Sequence, residues 1–71
     1  MGRHIDQDSY DAVLAAARGD GADVRELARK LRIADRTIFR YLRRIEASEA
    51  PRVLARFGAP GNVRYRLISA G

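Results

Sequence analysis

The chain shows a helical period of hydrophobic positions first and a strand period afterwards. From about Ser9 to Arg18, apolar side chains recur every three or four positions and so line one face of a helix. These positions are Tyr10, Val13, Leu14 and Ala17. Asp8 is the expected N-cap of this helix, and Gly19 and Gly21 are expected to end it.

A second helix is predicted to begin at Val24. Asp23 and Glu26 have the D-x-x-E spacing of a capping box, in which acidic side chains accept hydrogen bonds from backbone N–H groups at a helix start. The expected buried positions are Leu27, Ala28 and Leu31. The helix should end near Leu31 or Arg32.

A third helix is predicted from Asp35 to about Ala47, and its outward side is almost entirely arginine. Its expected buried positions are Ile38, Tyr41, Leu42 and Ile45. Its expected outward positions are Arg36, Phe39, Arg40, Arg43 and Arg44. Only three residues separate this helix from Leu31, so a tight turn should cross the two helices, with Ile33 in the crevice between them.

After Pro51 the period changes to two, which is typical of β-strands. In the first strand Val53, Ala55 and Phe57 alternate with Arg52, Leu54 and Arg56. In the second, Val63, Tyr65 and Leu67 alternate with Arg64 and Arg66. The turn formers from Gly58 to Asn62 predict an antiparallel hairpin with a five-residue tip. The expected class is therefore α+β, mostly α, with three helices and a C-terminal hairpin.

Charge narrows the choice of partners. The 71 residues suffice for one small domain, and 14 basic against 9 acidic residues give a formal charge of +5, which favours polyanions. Residues 1–23 carry 2 basic and 5 acidic side chains, a net of −3, whereas residues 24–71 carry 12 and 4, a net of +8. Thirteen of the basic residues are arginine, which suits bidentate contacts to guanine and phosphate or reflects a GC-rich coding sequence.

The composition also excludes several classes of protein. No cysteine and a single histidine exclude a disulfide framework and structural zinc, and we expect no metal, cofactor or small-molecule ligand. No apolar run suggests a membrane span or a signal peptide, so a cytoplasmic, nucleoid-associated protein is expected. Residues 1–7, with His4 and Asp6, are expected to form a flexible arm. Because so small a domain buries little surface, a homodimer is also expected.

The segment DVRELARKLRIADRTIFRYLRRIEA resembles the winged helix-turn-helix DNA-binding domains, especially those of small bacterial or phage transcriptional regulators. It is similar to their L-A-x-x-L helix, tight turn and T-[VI]-[YF]-R-x-L-x-x-[LI]-E recognition helix. Arg32 stands where the family usually has a turn glycine, and Ala34 where it has a serine N-cap. Asp35 is expected to cap the third helix instead.

The resemblance implies double-stranded DNA as the partner, with the third helix in the major groove. Base contacts are then expected from Asp35, Arg36, Phe39 and Arg40. Sugar-phosphate contacts are expected from Thr37, Arg43 and Arg44, and from Arg25 at the start of the second helix. Wing contacts are expected from Arg56, Asn62 and Arg64. The implied function is that of a sequence-specific, repressor-like transcriptional regulator.

Each of these assignments has an alternative. The arginines are also consistent with a solvated face, with Arg40 or Arg44 paired to Glu46 or Glu49. Phe39 is as well explained by packing against the hairpin as by contact with a base. Residues 36–45, however, hold four arginines and no carboxylate, and such an excess of one charge is destabilising unless a polyanion offsets it. DNA binding is therefore favoured.

Other function classes have weaker support. The acidic residues Asp6, Asp8 and Asp11 are better explained by a helix start than by acid–base chemistry, and the serines lack a histidine or lysine partner, so no enzyme is expected. Within DNA binding, an architectural or excisionase-like protein that bends DNA is the alternative. Recognition of left-handed or A-form duplex is a weaker idea. The alternative outside DNA binding is a protein-interaction domain, in which the arginines of the third helix dock an acidic protein and Phe39 is the anchor.

Overall fold

The computed structural model describes residues 7–69. In this part of the chain three α-helices precede two β-strands. They are α1 (Gln7–Arg18), α2 (Val24–Leu31), α3 (Asp35–Ser48), β1 (Val53–Phe57) and β2 (Arg64–Ile68). The two strands pair antiparallel and form a C-terminal hairpin. The predicted α+β architecture, mostly helical and closed by a hairpin, is confirmed.

One hydrophobic core joins the three helices to β2. All four positions predicted to be buried on α3 are buried, and Ile38 and Ile45 have no exposed surface. The other helices and β2 contribute Val13, Ala17, Val24, Leu27, Ala28 and Leu67. Tyr10 of α1 meets Tyr41 of α3 edge to face, with 5.9 Å between ring centroids. α3 is therefore anchored along its whole apolar side, which leaves its opposite side to solvent.

The start of α1 differs from the prediction. The helix begins at Gln7, so Asp8 lies in its first turn and is not the N-cap. There its charge faces the positive end of the helix dipole. The Gln7 side-chain amide donates a 2.9 Å hydrogen bond to Asp11 one turn on. Gln7 thus belongs to α1 and not to the predicted arm, whose other residues, His4 and Asp6 among them, lie outside the described residues.

The turn between α2 and α3 forms without glycine, and the caps of the two helices differ. Asp23 caps α2 as predicted, since its side chain accepts a 3.1 Å hydrogen bond from the N–H of Glu26. Arg32 adopts the left-handed conformation (φ 58°, ψ 45°) that glycine usually supplies. The N-cap of α3 is Ala34, which has no side-chain hydrogen bond to offer. The prediction that Asp35 is the cap is wrong, because Asp35 lies inside the first turn.

The hairpin has the predicted strands with a longer tip. β1 begins at Val53, so the predicted Arg52 lies outside it, and β2 runs from Arg64 to Ile68, so Val63 joins the connection between the strands. The inward face carries Leu54 opposite Leu67, both packed on the core. Val53 and Phe57, on the alternate face of β1, are exposed, as is Ile68. The apolar set of the predicted alternation, Val53, Ala55 and Phe57, is therefore not the side of β1 packed on the helices, which is that of Leu54.

An isolated pair of hydrogen bonds fixes the hairpin to the loop between α1 and α2. Ala22 donates to the carbonyl of Tyr65 at 2.7 Å, and Tyr65 donates back to Ala22 at 2.9 Å. β2 therefore lies between β1 and this loop. Beside it, Gly21 has a φ of 118°, and a Cβ there would lie 2.9 Å from the ring of Phe57, so glycine is required on both counts.

Candidate nucleic-acid interface

The exposed side of α3 carries a row of guanidinium groups, here called the arginine face (Arg36, Arg40, Arg43 and Arg44). All four side chains are exposed. Since successive helix positions turn by about 100°, Arg36, Arg40 and Arg43 fall along the centre of this face. Arg44 and the half-buried Thr37 fall on the flank away from the hairpin. The predicted outward positions are thus confirmed as exposed, and the burial of the opposite side of α3 explains why.

The two carboxylates that follow the arginine face in sequence, Glu46 and Glu49, have other partners. Glu49 pairs with Arg18 of α1 at 2.9 Å. Glu46 accepts a 2.8 Å hydrogen bond from the backbone N–H of Leu54. Pairing of Arg40 or Arg44 with these acids, the alternative drawn from the sequence, is therefore wrong. Within residues 7–69, no side chain of the arginine face forms an ion pair. Among the described residues, no ion pair therefore compensates the four guanidinium charges of the arginine face.

Phe39 is both packed against the hairpin and exposed. Its ring meets that of Tyr65 edge to face, with 5.9 Å between centroids and 85° between planes. Even so, 45% of the residue remains accessible. It forms a ridge between two grooves, of about 260 and 300 Å³. The packing interpretation of Phe39 holds, and it leaves ring surface available for a partner.

The smaller of these grooves brings together residues from three elements. Arg25 at the start of α2, Asp35 at the start of α3 and Phe39 line it. Gly61 and Val63 of the hairpin tip form its other wall. Both Arg25 and Asp35 are exposed. The structure thus groups the predicted phosphate-contacting residue of α2 with two predicted base-contacting residues of α3 and with the tip of the hairpin.

The three predicted hairpin residues do not share one surface. Arg56 pairs across the strands with Tyr65, so it projects from the hairpin face that also meets Phe39. Asn62 is exposed in the tip, where its N–H donates to the carbonyl of Ala59 at 2.8 Å. Arg64 is on the opposite face and half-buried, and its Nε is buried with no hydrogen-bond partner among residues 7–69. The structure groups Arg56 with α3 and separates Arg64 from it.

Three features of the site were missed from the sequence: the hydrogen bond from Leu54 to Glu46, the pairing of Ala22 with Tyr65, and the left-handed Arg32. No local pattern marks the first two, because both join residues that only the fold brings together. The third had a weak signal. Arg32 stands where the winged helix-turn-helix domains that the sequence resembles usually have glycine, the residue that most easily adopts a positive φ.

Comparisons with known proteins add no relative. No family model matches this sequence, and neither a curated protein nor a solved structure is significantly similar to it. Among residues 7–69, no helix combines the length and the hydropathy needed to span a bilayer. In the same residues, no three histidine or acidic side chains are grouped as a metal site would need.

Proposed function

We propose that this chain is a sequence-specific double-stranded DNA-binding protein that reads the major groove with α3 and acts as a transcriptional regulator of the repressor type. The observation that carries the proposal is the arginine face: four exposed guanidiniums on a firmly anchored helix, with no ion pair in the described part of the chain. A phosphate backbone supplies the missing counter-charge. Such a protein would work in the cytoplasm, at the nucleoid.

The shape of α3 supports the same partner. A helix with its side chains is about 10–12 Å across, which matches a major groove about 12 Å wide. The centre of the arginine face lies opposite the buried side of α3 and is exposed, so it is free to enter a groove. Arg36 and Arg40 are the proposed base readers, because arginine forks onto the O6 and N7 atoms of guanine. Asp35 would accept a hydrogen bond from cytosine N4.

The remaining predicted contacts are proposed for the sugar-phosphate backbone. Arg43 and Arg44 follow Arg40 on the arginine face, and Thr37 lies beside it. Arg25 lies across the groove from the hairpin tip. For the hairpin we propose Arg56 and Asn62 as DNA contacts. Arg64 is a weaker candidate, since it lies on the hairpin face turned away from Phe39 and is half-buried.

The decisive experiment is selection of binding sites from a random duplex pool, followed by affinity measurements by fluorescence anisotropy at several salt concentrations. A single enriched motif is expected, and log K should fall against log salt by about 0.9 for each phosphate neutralised. Arg66→Ala is the matched control for variants of the arginines proposed to contact DNA. It also removes one positive charge, but Arg66 lies on the other face of the hairpin from Tyr65. It should leave the preferred motif unchanged.

Other outcomes identify the alternatives. Little binding to any duplex at low salt would favour a partner that is an acidic protein. Binding without an enriched motif, accompanied by a large bend, would favour an architectural or excisionase-like protein. A change in the circular-dichroism spectrum of an alternating G·C duplex toward that of a left-handed or A-form helix, when the protein is added, would favour recognition of those forms.

The homodimer expected from the small size of the domain is part of the proposal. Two copies on one site require a palindromic or repeated motif with half-sites about 34–36 Å apart, or a multiple of that distance. Light scattering of the free protein and of its complex with the selected duplex measures the number of copies. One copy on a motif without symmetry would contradict the dimer and leave the DNA-binding proposal standing.

A further inference from the structure

A shallow recess lies on the outward side of α3. Its lining consists of Arg36, Phe39, Arg40 and Arg43, and its volume is about 230 Å³. The recess has one aromatic wall and is otherwise lined by guanidinium groups. It is therefore a place where one apolar group and neighbouring hydrogen-bond acceptors can be contacted together.

The aromatic wall is held in place before any ligand arrives. The ring of Phe39 rests edge to face on Tyr65, whose backbone is fixed to Ala22 by two hydrogen bonds. With 45% of Phe39 still exposed, its free surface is left toward solvent. Because the ring is already ordered, little side-chain entropy is lost when a ligand packs against it.

The major-groove edge of DNA offers one apolar group, the methyl on C5 of thymine. A cytosine methylated at C5 presents the same group, whereas cytosine and uracil lack it. Guanine presents two acceptors, O6 and N7, to an arginine. A pyrimidine with a C5 methyl beside a guanine therefore combines the two chemistries that the recess offers.

The spacing along α3 fits neighbouring base pairs. Arg36 and Phe39 are three residues apart, a rise of about 4.5 Å along a helix axis. Stacked base pairs are about 3.4 Å apart along the duplex. A helix lying along the groove thus places Phe39 over one base pair and Arg36 over the next.

We propose that this recess recognises a two-base step in which a pyrimidine bearing a C5 methyl lies next to a guanine, with Phe39 contacting the methyl and Arg36 the guanine. The inference rests on the proposed function and deepens it, since it makes binding sensitive to methylation of cytosine at C5. Burial of one methyl corresponds to about 0.8 kcal/mol, or about fourfold in affinity for each methyl contacted.

The test uses the motif selected from the random pool. Each thymine is replaced in turn by uracil, which removes the methyl and nothing else. At the position facing Phe39 the wild-type protein should bind about fourfold more weakly. A duplex with cytosine at that position should bind more tightly by the same factor when the cytosine is methylated at C5. This comparison needs no protein variant.

Variants then assign the effect to the recess. Phe39→Ala should bind methylated and unmethylated duplexes equally, while Arg44→Ala, which lies outside the recess lining, should weaken both and keep their ratio. Phe39→Leu retains an apolar side chain and serves if the alanine variant does not fold; it should retain part of the ratio.

The outcomes separate the two proposals. Specific binding with no methyl effect at any position would overturn the recess and leave the proposed function intact. A methyl effect that persists undiminished in Phe39→Ala would overturn the assignment to this ring. Absence of binding to every duplex would overturn both proposals.

Discussion

The carboxylate of Glu46 on α3 accepts a 2.8 Å hydrogen bond from the backbone N–H of Leu54 on β1. Tyr65 of β2 uses both its backbone N–H and its C=O to bond Ala22. Its partner on β1, Arg56, is therefore not hydrogen-bonded to it, and the backbone N–H and C=O of Arg56 point away from β2. By the same alternation the N–H of Leu54 points outward at the free edge of the hairpin. Glu46 thus satisfies a donor at this edge and fastens the hairpin to α3.

Glu46→Ala should lower the free energy of unfolding by about 1–2 kcal/mol, because it leaves a part-buried N–H without its charged acceptor. Glu46→Gln should lose less, since its amide oxygen still accepts. Urea denaturation measures both. The control is Glu49→Ala, which breaks the exposed pair with Arg18 and should cost about 0.2–1 kcal/mol. Equal losses for the two alanine variants would contradict this role of Glu46.

Arg32→Gly should raise the free energy of unfolding by up to about 1 kcal/mol, because Arg32 has a φ of 58°, a region that glycine enters without strain. This value already allows for the opposing effect of glycine, which raises the conformational entropy of the unfolded chain. Arg32→Ala removes the same charge without relieving the backbone and should show no gain. Thermal unfolding of the two variants compares them; a similar increase in both would point to charge as the cause.

Ala34→Ser should stabilise α3. Ala34 has the extended backbone of an N-cap (φ −69°, ψ 151°) and no side-chain acceptor. A serine hydroxyl would accept from an N–H in the first turn, a gain of about 0.5–2 kcal/mol. Asp23→Ala, which removes the existing cap of α2, is the matched test in the other direction. The denaturation midpoint should rise for Ala34→Ser and fall for Asp23→Ala. An unchanged midpoint in Ala34→Ser would show that the N–H groups in the first turn of α3 already have acceptors.

The arginines of α3 should divide into two kinds in DNA binding. Arg36→Ala or Arg40→Ala should cost about 1–3 kcal/mol on the preferred site and relax sequence preference. Arg43→Ala should weaken all sequences alike and reduce the salt slope by about 1. Affinities for selected and scrambled duplexes at several salt concentrations measure both effects. Unchanged discrimination in the Arg36 and Arg40 variants would show that another side of α3 faces the bases.

Arg56→Ala extends the same test to the hairpin. Because Arg56 shares its strand face with Leu54 and pairs with Tyr65, it lies on the side of α3 and should weaken binding to every duplex. Arg64→Ala, on the opposite face, should have the smaller effect. A larger loss for Arg64 than for Arg56 would mean that the hairpin meets DNA through its outer face.

Local patterns in the sequence determined the order and type of all five elements, the buried positions of α3 and the exposure of its arginines. Ile38, Tyr41, Leu42 and Ile45 follow the helical period, and one anchored face implies one solvent face. Such patterns depend on neighbours one or two turns away, which the sequence contains directly.

The partners of the charged and polar groups follow from the packing of the elements and not from local sequence. The pairing of Glu49 with Arg18 and the hydrogen bond of Glu46 with Leu54 depend on how α1, α3 and the hairpin pack. The strand register places Arg64 on the hairpin face opposite that of Tyr65. The same packing turned Leu54 inward and placed Phe39 on Tyr65. These contacts join positions distant in sequence or across a turn of unspecified geometry, so no local period encodes them.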